Sequence, residues 1–282
     1  MQGILAIVLT GKTFVITGAS SGLGKALAIA LASHNVNLVL AARNQDALTE
    51  VAEICKHSGS PLPLTVRTDV TDANQCRAMV EKAVKQHGSI DYLILNAGIS
   101  MWSRFEDVTD TSIFHKIMDV NYLGAVHCIH SALPHLKKNR GSIVAISSIQ
   151  GKMGMPFHSG YAASKHALHG FLDSLRMELN DVHILTVMPH WISGTSLREN
   201  ALGTDGKKIG LSKRRHTNES ISLDVCSQAV IKAMIRGKKE VAIPFKLNLV
   251  PWLKLLAPGF LRKLVLSKLK SQVPPPSSRP KV

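Results

Sequence analysis

Tyr161 and Lys165 lie four residues apart at the end of the stretch S-S-I-Q-G-K-M-G-M-P-F-H-S-G-Y-A-A-S-K, residues 147–165. On a helix, residues at that spacing sit one above the other on a single face. The spacing therefore holds a phenol beside an ammonium. A free phenol titrates near ~10, and a fixed cation beside it favours the phenolate and lowers that value. A tyrosine tuned in this way can give or take a proton close to neutral pH. Ser148 lies thirteen residues upstream, just past the apolar run Ile143-Val144-Ala145-Ile146. That run reads as a buried parallel strand. A hydroxyl at such a strand end can hold a substrate oxygen beside the phenol. A lone Tyr/Lys pair is more often a plain surface contact, so its meaning depends on the rest of the chain.

The elements that must position these groups start with residues 12–18, K-T-F-V-I-T-G, which read as a first strand. The loop T-G-A-S-S-G-L-G follows and leads into a helix predicted over 25–33. Its glycines, Gly18, Gly22 and Gly24, allow a tight turn and a close backbone approach to a pyrophosphate. Amides at the helix N-terminus then face the phosphates. Between a strand and a helix at the start of a βαβ pattern, this is a dinucleotide-binding signal, with Ser20, Ser21 and Leu23 as the loop's other cofactor contacts. The second strand, 36–42, ends Ala41-Ala42-Arg43-Asn44. An NAD site of this architecture usually has a carboxylate at that strand end for the ribose 2′-hydroxyl. Here none is present, and Arg43 can pair with a 2′-phosphate. NADP(H) is thus the expected cofactor, with NAD(H) as the alternative. Asp46 comes later, where helix capping accounts for it. Further strands are expected at 62–70, 92–95, 143–146, 182–188 and 240–244, and helices at about 160–179 and 223–236.

Taken with the context G-Y-A-A-S-K-H-A, these motifs resemble the short-chain dehydrogenase/reductase family over about residues 11–245. The glycine spacing is that family's T-G-x-x-x-G-x-G. The stretch V-A-I-S-S-I-Q-G-K-M-x-x-P-F-x-S-x-Y-A-A-S-K-H-A is closer still to its 7B-like members and their bacterial relatives. The resemblance implies a catalytic tetrad of Asn121, Ser148, Tyr161 and Lys165, with Ser148 and Tyr161 on the substrate. It places Asp69 and Val70 by the adenine, Asn96-Ala97-Gly98 beside the cofactor, and Tyr161 and Lys165 at the nicotinamide end. For Asp69, the N-cap of a helix from Thr71 is a compatible second role. Asn121 sits mid-helix, where asparagine is a poor helix former. That cost is understandable if its carbonyl or side chain holds a water linked to Lys165. The family usually has P-G-x-V-x-T after the sixth strand, to hold the nicotinamide carboxamide. This chain has Pro189-His190-Trp191-Ile192-Ser193-Gly194-Thr195. His190 replaces the glycine and one extra residue precedes Thr195, so Pro189, Ile192 and Thr195 are the carried-over contacts.

The expected fold is a doubly wound α/β Rossmann domain over residues 1–245, with a seven-stranded, mainly parallel sheet. Residues 12–100 would supply most of the cofactor site and 101–245 the catalytic and substrate part. Residues 196–220 are polar and Gly/Lys-rich and read as a substrate lid. At 282 residues the chain fits one large domain. Four cysteines without C-x-x-C spacing suggest a reducing, cytoplasmic setting and no structural zinc. His127, Cys128, His130 and His135 read as a packed helix face, so no metal site is expected. Asn218-Glu219-Ser220 is a glycosylation sequon, expected to be a chance match in a chain that is not secreted.

Net charge is +15, of which Lys246–Val282 supplies +8 with no Asp or Glu. No nucleic-acid motif accompanies this charge. The apolar run Ile4–Leu9 is shorter than the roughly 20 residues of a spanning helix and reads as a lead-in packed on the domain. Residues 249–270 form an apolar, basic extension broken at Pro258-Gly259. Phe260, Leu261, Leu264, Val265 and Leu269 could share one helix face there, either on an anionic membrane surface or against the protein itself. Residues 271–282 read as a disordered tail. Trp102, Met153, Met155, Phe157 and Trp191 would make the site's mouth greasy. The expected activity is interconversion of a carbonyl and an alcohol on a lipophilic small molecule such as a steroid, retinoid or acyl ketone. A homodimer or homotetramer is expected through the helices of Asn121 and Tyr161. The alternative is a non-catalytic nucleotide-binding scaffold at a membrane surface.

Overall fold

In a computed structural model, residues 9–210 and 220–269 are described. Most of the lead-in run, residues 211–219 of the expected lid with most of the sequon, and the tail from 270 lie outside the described residues. Seven strands form one sheet: β1 Thr13–Thr17, β2 Asn37–Ala42, β3 Leu64–Arg67, β4 Tyr92–Leu95, β5 Ser142–Ile146, β6 His183–Pro189 and β7 Glu240–Ile243. Their order is β3-β2-β1-β4-β5-β6-β7, and every neighbouring pair is parallel. The expected "mainly parallel" sheet is therefore wholly parallel. β3 is shorter than its predicted span of 62–70. Pro61 and Pro63 precede it, and proline cannot donate to a strand ladder.

Side chains alternate across the sheet with period two. Phe14, Ile16, Leu38, Leu40, Ile94, Val144, Leu185 and Val187 face one layer, made by helices α1 Gly22–Ala32, α2 Gln45–His57 and α7 Leu223–Ile235. Val15, Val39, Leu93, Leu95, Ile143 and Ile184 face the other, made by α3 Ala73–His87, α5 Gly124–Asn139 and α6 Ser159–Glu178. A sheet covered on both faces explains why its strands read as near-continuous apolar runs. Helix α4, Ser112–Met118, runs through a π turn at Asp119–Leu123 into α5. The strand order reverses between β1 and β4. In doubly wound sheets, ligands bind at that switch point, outside the carboxyl ends of the strands.

The C-terminal extension is two helices, α8 Val250–Leu256 and α9 Pro258–Leu269. Pro258 divides them, as its position in the sequence suggested. The expected apolar stripe is split between two directions. Leu261 and Leu269 are buried, with Val265 partly so, whereas Phe260 is 59% exposed. Val250 and Leu261 pack with Ile149 and Met153, just behind Ser148. Phe245, Leu249, Trp252, Leu255 and Leu256 point outward and are each more than 60% exposed. Among the described residues, no helix is long and apolar enough to cross a membrane.

Candidate active site

A cleft of about 770 Å³ opens at the carboxyl ends of the strands. One end is built by the glycine loop. Gly18 and Gly22 have φ of +65° and +54°, a left-handed region that L side chains rarely adopt. A Cβ on Gly24 would lie 2.3 Å from the carbonyl oxygen of Gly18. The loop is therefore closed around its own backbone, and α1 begins at Gly22 with its amides toward the cleft. Asn96 buttresses the loop, donating from Nδ2 to the carbonyls of Thr17 (3.0 Å) and Gly18 (3.1 Å). Thr17 Oγ1 in turn accepts from the amides of Asn96 and Ala97. Such a cradle, with glycines where a Cβ would clash and free amides at a helix start, fits a dinucleotide pyrophosphate.

Gly18, Ser20, Ser21, Gly22 and Leu23 line the cleft, as do Arg43, Asp69, Val70, Asn96, Ala97 and Gly98. Gly24 lies one step back inside α1. Arg43 is exposed and makes no ion pair with the other described residues. Its neighbour Asn44 caps α2 by accepting from the Ala47 amide, and Asp46 lies in that helix's first turn. Asp69 does not cap α3. Asp72 does, accepting from the amides of Asn74 and Gln75. Asp69 instead closes a local turn onto Thr71, because α3 starts two residues later than the sequence suggested. Pro189, Ile192 and Thr195 also line the cleft. Thr195 sits over the glycine loop, where a Cβ on Gly22 would meet its Cγ2 at 3.6 Å.

Three residues of the expected tetrad, Ser148, Tyr161 and Lys165, line the middle of the cleft; Asn121 stands behind that lining, and all four are buried. Ser148 follows β5; its hydroxyl accepts from the Gln150 amide at 3.2 Å and stands beside the Tyr161 phenol. Lys165 Nζ donates to the Ile146 carbonyl at 3.1 Å and lies 5.6 Å from the Tyr161 ring centroid. Asn121 sits in the π turn. Its Oδ1 accepts from the Ile99 amide at 2.8 Å, and its Nδ2 donates to the Ile99 carbonyl and to Ser164 Oγ, both at 2.9 Å. With both amide hydrogens donated, the side chain is a strut between the β4 end and α6.

The electrostatics differ from the sequence expectation. Burial pushes the Tyr161 phenol up to about 12, opposed by the neighbouring Ser148 hydroxyl, and pushes Lys165 down to about 8. Desolvation outweighs the cation's effect because both groups are fully enclosed and the ammonium points at a carbonyl rather than at the phenol. Behind Ser148, Ser147 Oγ lies 2.8 Å from His169 Nε2. Burial holds His169 at about 3, hence neutral. Sequence reasoning passed over this pair, although His169 is four residues beyond Lys165 on the same helix. It also passed over His158, whose ring lies 6.2 Å from that of Tyr161.

The other end of the cleft is apolar, lined by Met101, Trp102, Met155, Trp191 and Leu202. Two of the residues expected there stand behind this lining. Phe157 stacks on the back of Trp102, with ring centroids 4.8 Å apart, and Met153 packs beneath α8 and α9. The described part of the expected lid is tied down by bridges from Leu202 to Met101 and Lys208. Among the described residues, no three His, Cys, Asp or Glu side chains group as metal ligands. His127 instead contacts the Val70 carbonyl, and Cys128 packs 3.6 Å from Cys76.

Residues 12–205 match the family model described as short chain dehydrogenase. The chain is 35% identical over 266 residues to 11-beta-hydroxysteroid dehydrogenase-like 4A of Arabidopsis thaliana, covering 93% of this chain and 85% of that protein. It is also 35% identical over 267 residues to dehydrogenase/reductase SDR family member 7B of Bos taurus, covering 92% and 81%. Among solved structures, an alcohol dehydrogenase from Thermococcus sibiricus complexed with 5-hydroxy-NADP is similar at a TM-score of 0.70. It is 26% identical, and the match covers 82% of this chain and 95% of that one.

Proposed function

The chain belongs to the short chain dehydrogenase family, whose enzymes act on CH–OH groups, and we infer that it is an NADP(H)-preferring enzyme interconverting a carbonyl and an alcohol on a lipophilic molecule. The observation that carries this reading is Ser148 beside Tyr161, buried with Lys165 at the centre of a cleft with a glycine cradle at one end and an apolar wall at the other. A bound nicotinamide supplies or accepts the hydride. The chain's residues do the rest. Ser148 holds the carbonyl oxygen, and Tyr161 delivers the proton to it. A phenol kept protonated by burial is suited to act as an acid. Lys165 binds the nicotinamide ribose and offsets charge as the phenol gives up its proton. The carbonyl of Asn121 holds the water that returns a proton to this relay.

NADP(H) is preferred in this reading because Arg43 lines the cleft just past β2 while Ala42 occupies the strand end. The substrate class follows from Trp102, Met155 and Trp191, and relatives named for hydroxysteroids support it. We place the enzyme in a reducing, cytoplasmic setting, with its described cysteines unpaired. The outward face of α8 and α9 would rest on anionic lipid. A homodimer or homotetramer would form through the helices of Asn121 and Tyr161, which expose Leu123 and Met177.

The test is NADPH oxidation over a panel of steroid, retinoid and acyl ketones. Wild-type protein is expected to turn over at least one class. Tyr161→Phe should reduce that turnover by about 10²–10⁴ while NADPH affinity stays nearly unchanged. NADPH binding with no turnover anywhere in the panel would favour a nucleotide-binding scaffold.

A further inference from the structure

The segment after β6 carries an unexplained cation into the apolar end of the cleft. Arg198 lies with its guanidinium carbon 4.4 Å from the centroid of the Trp191 ring. Trp191 meets His158 edge-on at 6.3 Å, and His158 meets Tyr161 at 6.2 Å. These contacts lead stepwise from the phenol to the guanidinium along the apolar wall. Arg198 lines the cleft. One of its Nη atoms is enclosed and has no hydrogen-bond partner, and no described carboxylate pairs with it. Burial disfavours its charge, yet a guanidinium stays protonated in proteins.

An enclosed charged donor without a partner is costly to leave unmade. The Trp191 ring takes only the face of the guanidinium. The edge carries the N–H fork that matches a carboxylate, sulfate or phosphate. Lys208 lines the same end. The carboxylates that line the cleft, Asp69 and Asp119, lie on the β3–α3 connection and the π turn, and neither forms an ion pair with Arg198. Glu199 and Asp205, which do lie on that segment, are exposed and absent from the lining.

We propose that Arg198 determines substrate specificity by binding an anionic group at the far end of a lipophilic carbonyl substrate. The substrate would be amphipathic: a ketone or alcohol at Ser148 and Tyr161, an apolar body along Trp102, Met155 and Trp191, and a carboxylate, sulfate or phosphate on Arg198. The idea rests on the reading of the cleft as a carbonyl–alcohol site. The same guanidinium chemistry would also suit a cofactor phosphate, and the experiment has to separate the two.

Two matched pairs serve as probes: a 17-ketosteroid with its 3-sulfate, and a long-chain oxo acid with its methyl ester. Binding is read by tryptophan fluorescence in wild type, Arg198→Gln and Arg198→Lys, and kcat/KM is read alongside. The anionic member of at least one pair should bind wild type more tightly. Arg198→Gln should weaken it about tenfold or more and change the neutral partner less than about twofold. Arg198→Lys should recover part of the loss, keeping the charge without the fork. NADPH affinity should be unchanged in both variants, which also reports an intact fold. Equal losses on neutral and anionic partners would overturn the proposal, and so would anionic members that bind no better than neutral ones. A loss confined to NADPH would assign Arg198 to the cofactor instead. Arg198-dependent binding of the anion without turnover would leave this site standing and sink the proposed reaction.

Discussion

At the scale of single residues, the clearest signal is an absence paired with a presence. Ala42 stands where a carboxylate would select NAD, and Arg43 follows it, exposed and unpaired among the described residues. Arg43→Ala should therefore weaken NADPH about tenfold or more, the usual worth of a charge-assisted bond to phosphate, and leave NADH nearly as before. Fluorescence titration of both cofactors measures it, and equal losses would mean that Arg43 does not read the 2′-phosphate. The placing of Tyr161 beside Lys165 was legible from spacing because four-residue periodicity is a geometric property of any helix, whereas Asn121 entered only through the family resemblance. The electrostatic state of Tyr161 was not legible. Spacing places the ammonium near the phenol, but how far both are stripped of water depends on everything packed over them. Arg198 was illegible for a related reason, since its interest lies in a tryptophan seven residues earlier and in the partner it lacks.

At the scale of elements, the glycine loop and helix α6 make opposite cases. A methyl group at position 24 would enter the Gly18 carbonyl and also lie 2.5 Å from the Asn96 Nδ2 that braces the loop. Gly24→Ala should lower thermal stability by about 1–3 kcal/mol and weaken NADPH at the same time. Gly170, exposed within α6 with open space around it, should respond the other way. Gly170→Ala is expected to stabilise by about 0.5–1 kcal/mol with cofactor affinity unchanged. Thermal unfolding of the two variants side by side checks both signs. Element positions were read well where the apolar runs were unbroken, as for β4, whose span was foreseen to the residue. They were read less well where proline or a turn trimmed the run, as at β3. Helix α9 shows the limit of stripe reading. Five apolar residues were assigned to one face, but the domain and the solvent divide them, because a short helix lying on a surface shows apolar groups in two directions.

For the molecule as a whole, the extension leaves a large outward apolar face beside its charge. Phe245, Leu249, Trp252, Leu255, Leu256 and Phe260 are exposed, and Lys246, Lys254, Arg262, Lys263 and Lys268 accompany them without a single acid in the segment. Basic residues near an anionic surface contribute on the order of 1 kcal/mol each, weakened by salt. The full-length protein should co-sediment with phosphatidylserine-containing vesicles at low salt and less at high salt. Replacing Trp252, Leu255 and Leu256 by serine should abolish sedimentation with little change in the melting temperature, because these side chains are mostly exposed. Protein that ignores such vesicles at low salt would exclude a lipid role for this face. The inward face of the same helices packs with Ile149 and with the Trp102 cluster, so a surface under α8 and α9 would lie close to the apolar end of the cleft.

The π turn at Asp119–Leu123 has one further effect, on the phase of the rod that contains it. Each α-helical residue advances about 100° around the axis, and an i→i+5 turn accommodates one residue more than the α-helical ladder does. In an unbroken α-helix, the buried stripe of α4 (Ile113 and Ile117) and that of α5 (Ala125, Cys128, Ile129 and Ala132) would be offset by roughly that angle. The extra residue cancels the offset, and the two stripes face the same side with Asn121 between them. Shortening the turn by one residue would leave composition and helix propensity almost untouched, yet it would rotate one stripe toward solvent and swing Asn121 off Ile99 and Ser164.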